Sequence, residues 1–90
     1  MVKLTFARLK EIEEFVRRKA ILKGTVRKGS GFSREELLTF VALKDYCAKL
    51  FWAPDHAASI EVIAEEVGIP VDQLRPWVEQ NVQLLRDSRT

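Results

Sequence analysis

The chain is poor in the residues that most often carry chemistry. Among its 90 residues there is one cysteine, Cys47, and one histidine, His56. A single thiol excludes an intrachain disulfide, and one thiol with one imidazole cannot assemble the usual four-ligand structural zinc site. Such cysteine usage fits a reducing, intracellular setting. Long hydrophobic runs are missing as well. No stretch approaches the roughly 20 apolar residues of a membrane span, and Lys3, Arg8, Lys10 and Glu11 interrupt the segment that a signal peptide would keep apolar. The expectation is a cytoplasmic protein without a membrane partner.

No catalytic constellation stands out either. Cys47 lies inside an apolar run, with no cation read as placed to lower its pKa, and is expected to be a buried structural thiol. His56 follows a proline and an aspartate in a surface loop. Glu65 and Glu66 are adjacent, so on a helix they point apart and belong to a solvated face. The chain is therefore read as a non-enzyme that needs no metal and no cofactor.

What is present is a folded core. An apolar fraction of 47% beside a charged fraction of 31% is ordinary for a globular protein and too apolar for a disordered one. A chain this short buries only about 60% of its unfolded surface, so one compact domain must use nearly every helix face. The net charge of +2 is small but unevenly spread. Residues 1–31 carry a net charge of +6, residues 32–59 carry −1 and residues 60–90 carry −3.

Phe6, Leu9, Ile12, Val16 and Ala20 recur at steps of three or four and draw one stripe on a first helix. Glu13 with Arg17 and Glu14 with Arg18 form i,i+4 pairs in the favourable order, each worth about 0.2–0.5 kcal/mol. The stretch from Gly24 to Gly31 holds three glycines and two adjacent cations and reads as an exposed connector. Its glycine spacing approaches that of a phosphate-binding loop, but Ser30 stands where the lysine should be and no apolar strand precedes it.

Ser33 and Glu36 make a capping box, with Phe32 and Leu37 as its hydrophobic staple, so a second helix should begin at Arg34. It is apolar over most of its circumference up to Trp52, as expected for a core helix surrounded by others. Ala53, Pro54 and Asp55 end it. Ser59 is the predicted N-cap of a third helix, and Gly68 its stop. Pro76 allows two versions of a fourth helix: one kinked helix from Val71, or a separate turn followed by a new helix from Pro76 to about Arg86. The fold is thus predicted to be all-α, a small bundle of four helices over about 4–23, 34–52, 60–67 and 71–86. Residues 1–90 form one helical domain, with 24–31 a basic flexible loop and 87–90 a frayed tail.

Within Ser59–Asn81, Ile60, Ile63, Ala64, Val67, Gly68, Ile69, Leu74 and Trp77 fall where two crossing helices need small, turning and apolar residues. This quarter of the chain resembles a helix-turn-helix. The resemblance implies binding to duplex DNA, with Pro70, Val71, Asp72, Gln73, Arg75, Pro76 and Glu79 near the major groove. Of these, Gln73 and Arg75 are good donors, whereas Asp72 and Glu79 oppose phosphates. Backbone affinity would come from Arg17, Arg18, Lys19, Lys23, Arg27 and Lys28.

Trp52 and Trp77 are read as packing residues rather than base-stacking platforms. The alternative reading keeps the same scaffold as a protein-interaction module, because fold does not fix function. Phe15 and Leu22 extend the apolar stripe of the first helix, which suggests a homodimer through that helix.

Overall fold

The structure, a computed structural model, describes residues 2–19 and 31–89. Among these residues there are four α-helices and no strand: α1 (Phe6–Lys19), α2 (Arg34–Trp52), α3 (Ile60–Val67) and α4 (Val71–Arg89). A single 3-10 turn, Pro54–His56, separates α2 from α3. The predicted all-α class and its four helices are observed.

Helix α1 starts at Phe6 rather than near Leu4 because Thr5 caps it. The Thr5 hydroxyl accepts from Arg8 N–H at 3.1 Å, and its carbonyl accepts from Leu9 N–H at 3.0 Å. Leu4 is buried for another reason. Its N–H donates to the Val67 carbonyl at 2.7 Å, which ties the extended segment before α1 to the end of α3. Val2 N–H donates to the buried Thr39 hydroxyl of α2 at 3.2 Å. Residues 20–23 of the predicted first helix and residues 24–30 of the predicted loop lie outside the described residues.

The capping box at α2 is present in both directions. Glu36 N–H donates to Ser33 Oγ at 3.1 Å, and Ser33 N–H donates to Glu36 Oε1 at 2.9 Å. Two expectations for α2 need correction. It is not surrounded on all sides: Leu38 and Val41 are about half exposed. Trp52 is 61% exposed, with its ring edge-on to Phe51, so it does not fill the core. The cause is geometric. Thr39, Phe40, Leu43, Tyr46 and Cys47 turn inward, and no helix lies over the opposite face of α2 among the described residues.

The core joins Leu9 and Ile12 of α1, Phe40, Leu43 and Cys47 of α2, and Ala64 and Val67 of α3 to Leu74, Trp77 and Val78 of α4. Helix α3 ends at Gly68, whose φ of 79° lies in the left-handed region where a side chain would be strained. Gly68 N–H donates to the Ala64 carbonyl at 2.8 Å, and Ile69 N–H shares that acceptor at 3.2 Å. At the other end of α3, Ser59 holds the cap position with its backbone carbonyl, while its hydroxyl makes no cap bond.

Helix α4 is one helix from Val71 with no new start at Pro76, and it runs three residues beyond the predicted end at Arg86, into the predicted frayed tail of 87–90. Asp87, Ser88 and Arg89 complete its last turn, where Ser88 Oγ donates to the Leu85 carbonyl at 2.9 Å. Pro76 lies inside the helix and removes the N–H that would have met the Asp72 carbonyl. Both residues are exposed and share one face, so water can satisfy that carbonyl.

Candidate functional site

The exposed surface of α3 and α4 follows from helix periodicity. Glu61 and Glu65 lie one turn apart on α3, and Asp72, Arg75 and Glu79 form a stripe on α4. The two stripes meet where the Arg75 guanidinium pairs with Glu61 at 3.2 Å. Between Ile60 and Gln80 the exposed side chains include five carboxylates, from Glu61, Glu65, Glu66, Asp72 and Glu79, against the single guanidinium of Arg75. The exposed surface of this stretch is therefore acidic, and its one arginine is already engaged. Lys3 borders it, with Nζ donating to the Glu65 carbonyl at 2.9 Å, where a cation complements the C-terminal end of α3.

Among the described residues, those predicted to contact nucleic acid lie on two helices, α4 and α1. Gln73 and Arg75 sit in the first two turns of α4, both exposed. Two residues further on, Trp77 points to α1, where its indole N–H donates to Glu13 Oε2 at 3.1 Å. Arg75 therefore leaves α4 about 200° around from the side that meets α1. Arg17 and Arg18 are exposed on α1, about a turn beyond Glu13. Lys19 closes α1, and Lys23, Arg27 and Lys28 lie outside the described residues.

The predicted ion pairs on α1 also change. Arg17 meets Glu14 at 3.5 Å instead of Glu13. Glu13, with a side chain only 15% exposed, turns to Trp77 and to Lys10 Nζ at 3.3 Å. Phe15, which motivated pairing through the first helix, is half-buried with its ring edge-on to Phe32 at 5.4 Å. Val16 remains about a third exposed, and Leu22 lies outside the described residues.

Arg8 is a junction that sequence reasoning missed. Its Nε and Nη2 grip the two Glu36 oxygens at 2.8 and 3.2 Å, Nη1 meets Glu11 at 3.0 Å, and Nη2 also donates to the Gly31 carbonyl. The guanidinium lies over the Phe32 ring, 4.5 Å from its centre. Arg8, followed by the Ser33 backbone N–H, holds the Glu36 carboxyl down at about 2. Glu36 in turn raises the Arg8 pKa. The capping box marks Glu36, but no local spacing points to a partner 28 residues earlier.

The remaining reactive groups lie apart from the exposed surface of α3 and α4. Burial pushes the Cys47 thiol up to about 11 even though Lys44, three residues earlier, pulls it the other way. It is therefore a poor nucleophile. His56 is exposed in the 3-10 turn. The Tyr46 hydroxyl donates to the Ala58 carbonyl at 2.7 Å, and burial raises its pKa. Asn81 is buried and satisfied, donating to the Trp77 carbonyl at 2.8 Å and accepting from Lys44 Nζ at 2.6 Å. Among the described residues no group of three or more His, Cys, Asp or Glu could hold a metal ion, and no helix is long and apolar enough to cross a membrane.

Comparison of the chain with known protein families, with curated proteins and with solved structures finds no match. The site is read from its own residues.

Proposed function

We propose that this domain is a protein-interaction module whose α3–α4 face binds a basic surface of a larger partner. The observation that supports this reading is the charge of the exposed α3–α4 surface: five exposed carboxylates against one arginine, which is paired with Glu61. A Lys- or Arg-rich partner gains attraction and orientation from such a face, whereas a phosphate backbone is repelled by it. The domain acts as a binding unit and performs no catalysis.

A second reading, a helix-turn-helix DNA-binding protein used in transcription regulation, draws on another observation. An eight-residue helix, a turn at Gly68 and a second helix with exposed Gln73 follow in the order that such modules use. It needs the cations of residues 1–31 to supply the backbone contacts.

One titration separates the two readings. Fluorescence anisotropy at low salt is recorded against a labelled duplex DNA and against a labelled Lys-rich peptide. The interaction module binds the peptide and loses it when Asp72, Arg75 and Glu79 are replaced together by alanine. Steeply salt-dependent binding of the duplex, with none of the peptide, would reverse the order.

A further inference from the structure

The outer face of α2 repeats its own pattern in reverse. Arg34, Leu38, Val41 and Asp45 are spaced by four, three and four residues, so they lie within an arc of about 60° on the helix. All four are exposed, with Leu38 at 56% and Val41 at 51%. Read from either end, the face runs from a charge through two apolar residues to a charge of the opposite sign. A two-fold axis midway between Thr39 and Phe40 exchanges Arg34 with Asp45 and Leu38 with Val41.

We infer that the chain pairs with a second copy of itself through this face, with the two α2 helices antiparallel. Each copy sets Leu38 against Val41 of the other, and the pair is closed at both ends by an Arg34–Asp45 ion pair. A symmetric pair of this kind needs a self-complementary patch, which this face provides. A parallel arrangement would place Arg34 against Arg34 and Asp45 against Asp45, so charge selects the antiparallel one. Neither Arg34 nor Asp45 has an ion-pair partner within the described residues, so both are available. Val2, 40% exposed, widens the apolar strip, lining a shallow groove with Leu38, Ala42 and the edge of Glu35.

The pairing uses α2 instead of the first helix, and it is independent of what the α3–α4 face binds. The shared stretch of about twelve residues spans roughly 17 Å. Its small area places the association among weak, concentration-dependent ones, with Kd between roughly 10 μM and 1 mM.

The experiment is sedimentation equilibrium of the full chain over that concentration range, with two charge-reversal variants, Arg34→Asp and Asp45→Arg. Far-UV circular dichroism checks that each is folded. The wild type moves from monomer to dimer as concentration rises. Each variant alone places like charges at both ends and weakens the dimer at least tenfold. Mixing the two restores it as a heterodimer. The aspartate introduced at position 34 of one copy then faces the arginine introduced at position 45 of the other, and the unaltered Asp45 and Arg34 meet at the opposite end. Amide shifts of the wild type on dilution centre on the outer face of α2. A wild type that stays monomeric up to roughly 1 mM, a dimer that both variants leave unchanged, a mixture that stays monomeric, or dilution shifts centred on another helix would each overturn the inference.

Discussion

The Trp77 indole donates a hydrogen bond to the Glu13 carboxylate at 3.1 Å, across a sequence separation of 64 residues. Trp77 is 2% exposed and also meets Phe40 edge-on, so one side chain joins α4 to both α1 and α2. Replacing it with phenylalanine keeps most of the apolar contact and removes the donor from a largely covered carboxylate. The expected cost is about 1–3 kcal/mol, since bonds to charged groups are worth more than neutral ones. Urea unfolding of Trp77→Phe, Glu13→Gln and the double variant checks it. Losses that add without coupling would show that the bond contributes nothing.

The Arg8–Glu36 pair predicts a pH dependence with a definite sign. In the folded chain the Glu36 carboxyl is held at about 2, below its ordinary 4.5. A depressed carboxyl stabilises the fold fully above the unfolded pKa, and that contribution fades as pH falls from 4.5 toward about 2. The Arg8→Gln variant lacks the cause of the depression. Its melting temperature should fall below that of the wild type near neutral pH, and the difference should shrink as both are acidified through this window. A difference that does not vary with pH would count against the pair.

Gly68 predicts a backbone effect. At φ 79° an L side chain is strained, and a Cβ there would sit 3.2 Å from Lys3 Cδ, the middle of a side chain that can yield. Gly68→Ala should therefore cost about 1–2 kcal/mol, mostly from the backbone. Gly68→Asn should cost less, because asparagine tolerates the left-handed region better. Denaturant midpoints of the three proteins give the order directly.

Local chemistry was legible in the sequence, and distant pairing was not. The capping box at Ser33, the stop at Gly68 and the bounds of α2 and α3 depend on residues within one or two turns, so spacing alone reveals them. The start of α1 differs because Leu4 is apolar and buried without being helical, packing from an extended segment, and Thr5 reports where the helix begins. Pro76 was ambiguous because its cost depends on whether the Asp72 carbonyl faces water. Glu13 illustrates the limit for the candidate site. Arg17 is a suitable neighbour four residues away, yet Trp77 and Lys10 are its partners. For Arg75, composition shows an acidic setting, but only the packing of α3 on α4 places Glu61 beside it.

The contacts of Val2, Lys3 and Leu4 set an order of events. These residues leave the ribosome well before Thr39, the Glu65 carbonyl and the Val67 carbonyl that receive them. The segment ahead of α1 must wait for its seat. Helix α1 can form from its own turns, whereas the segment ahead of it has its partners only once α2 has supplied Thr39 and α3 the Glu65 and Val67 carbonyls.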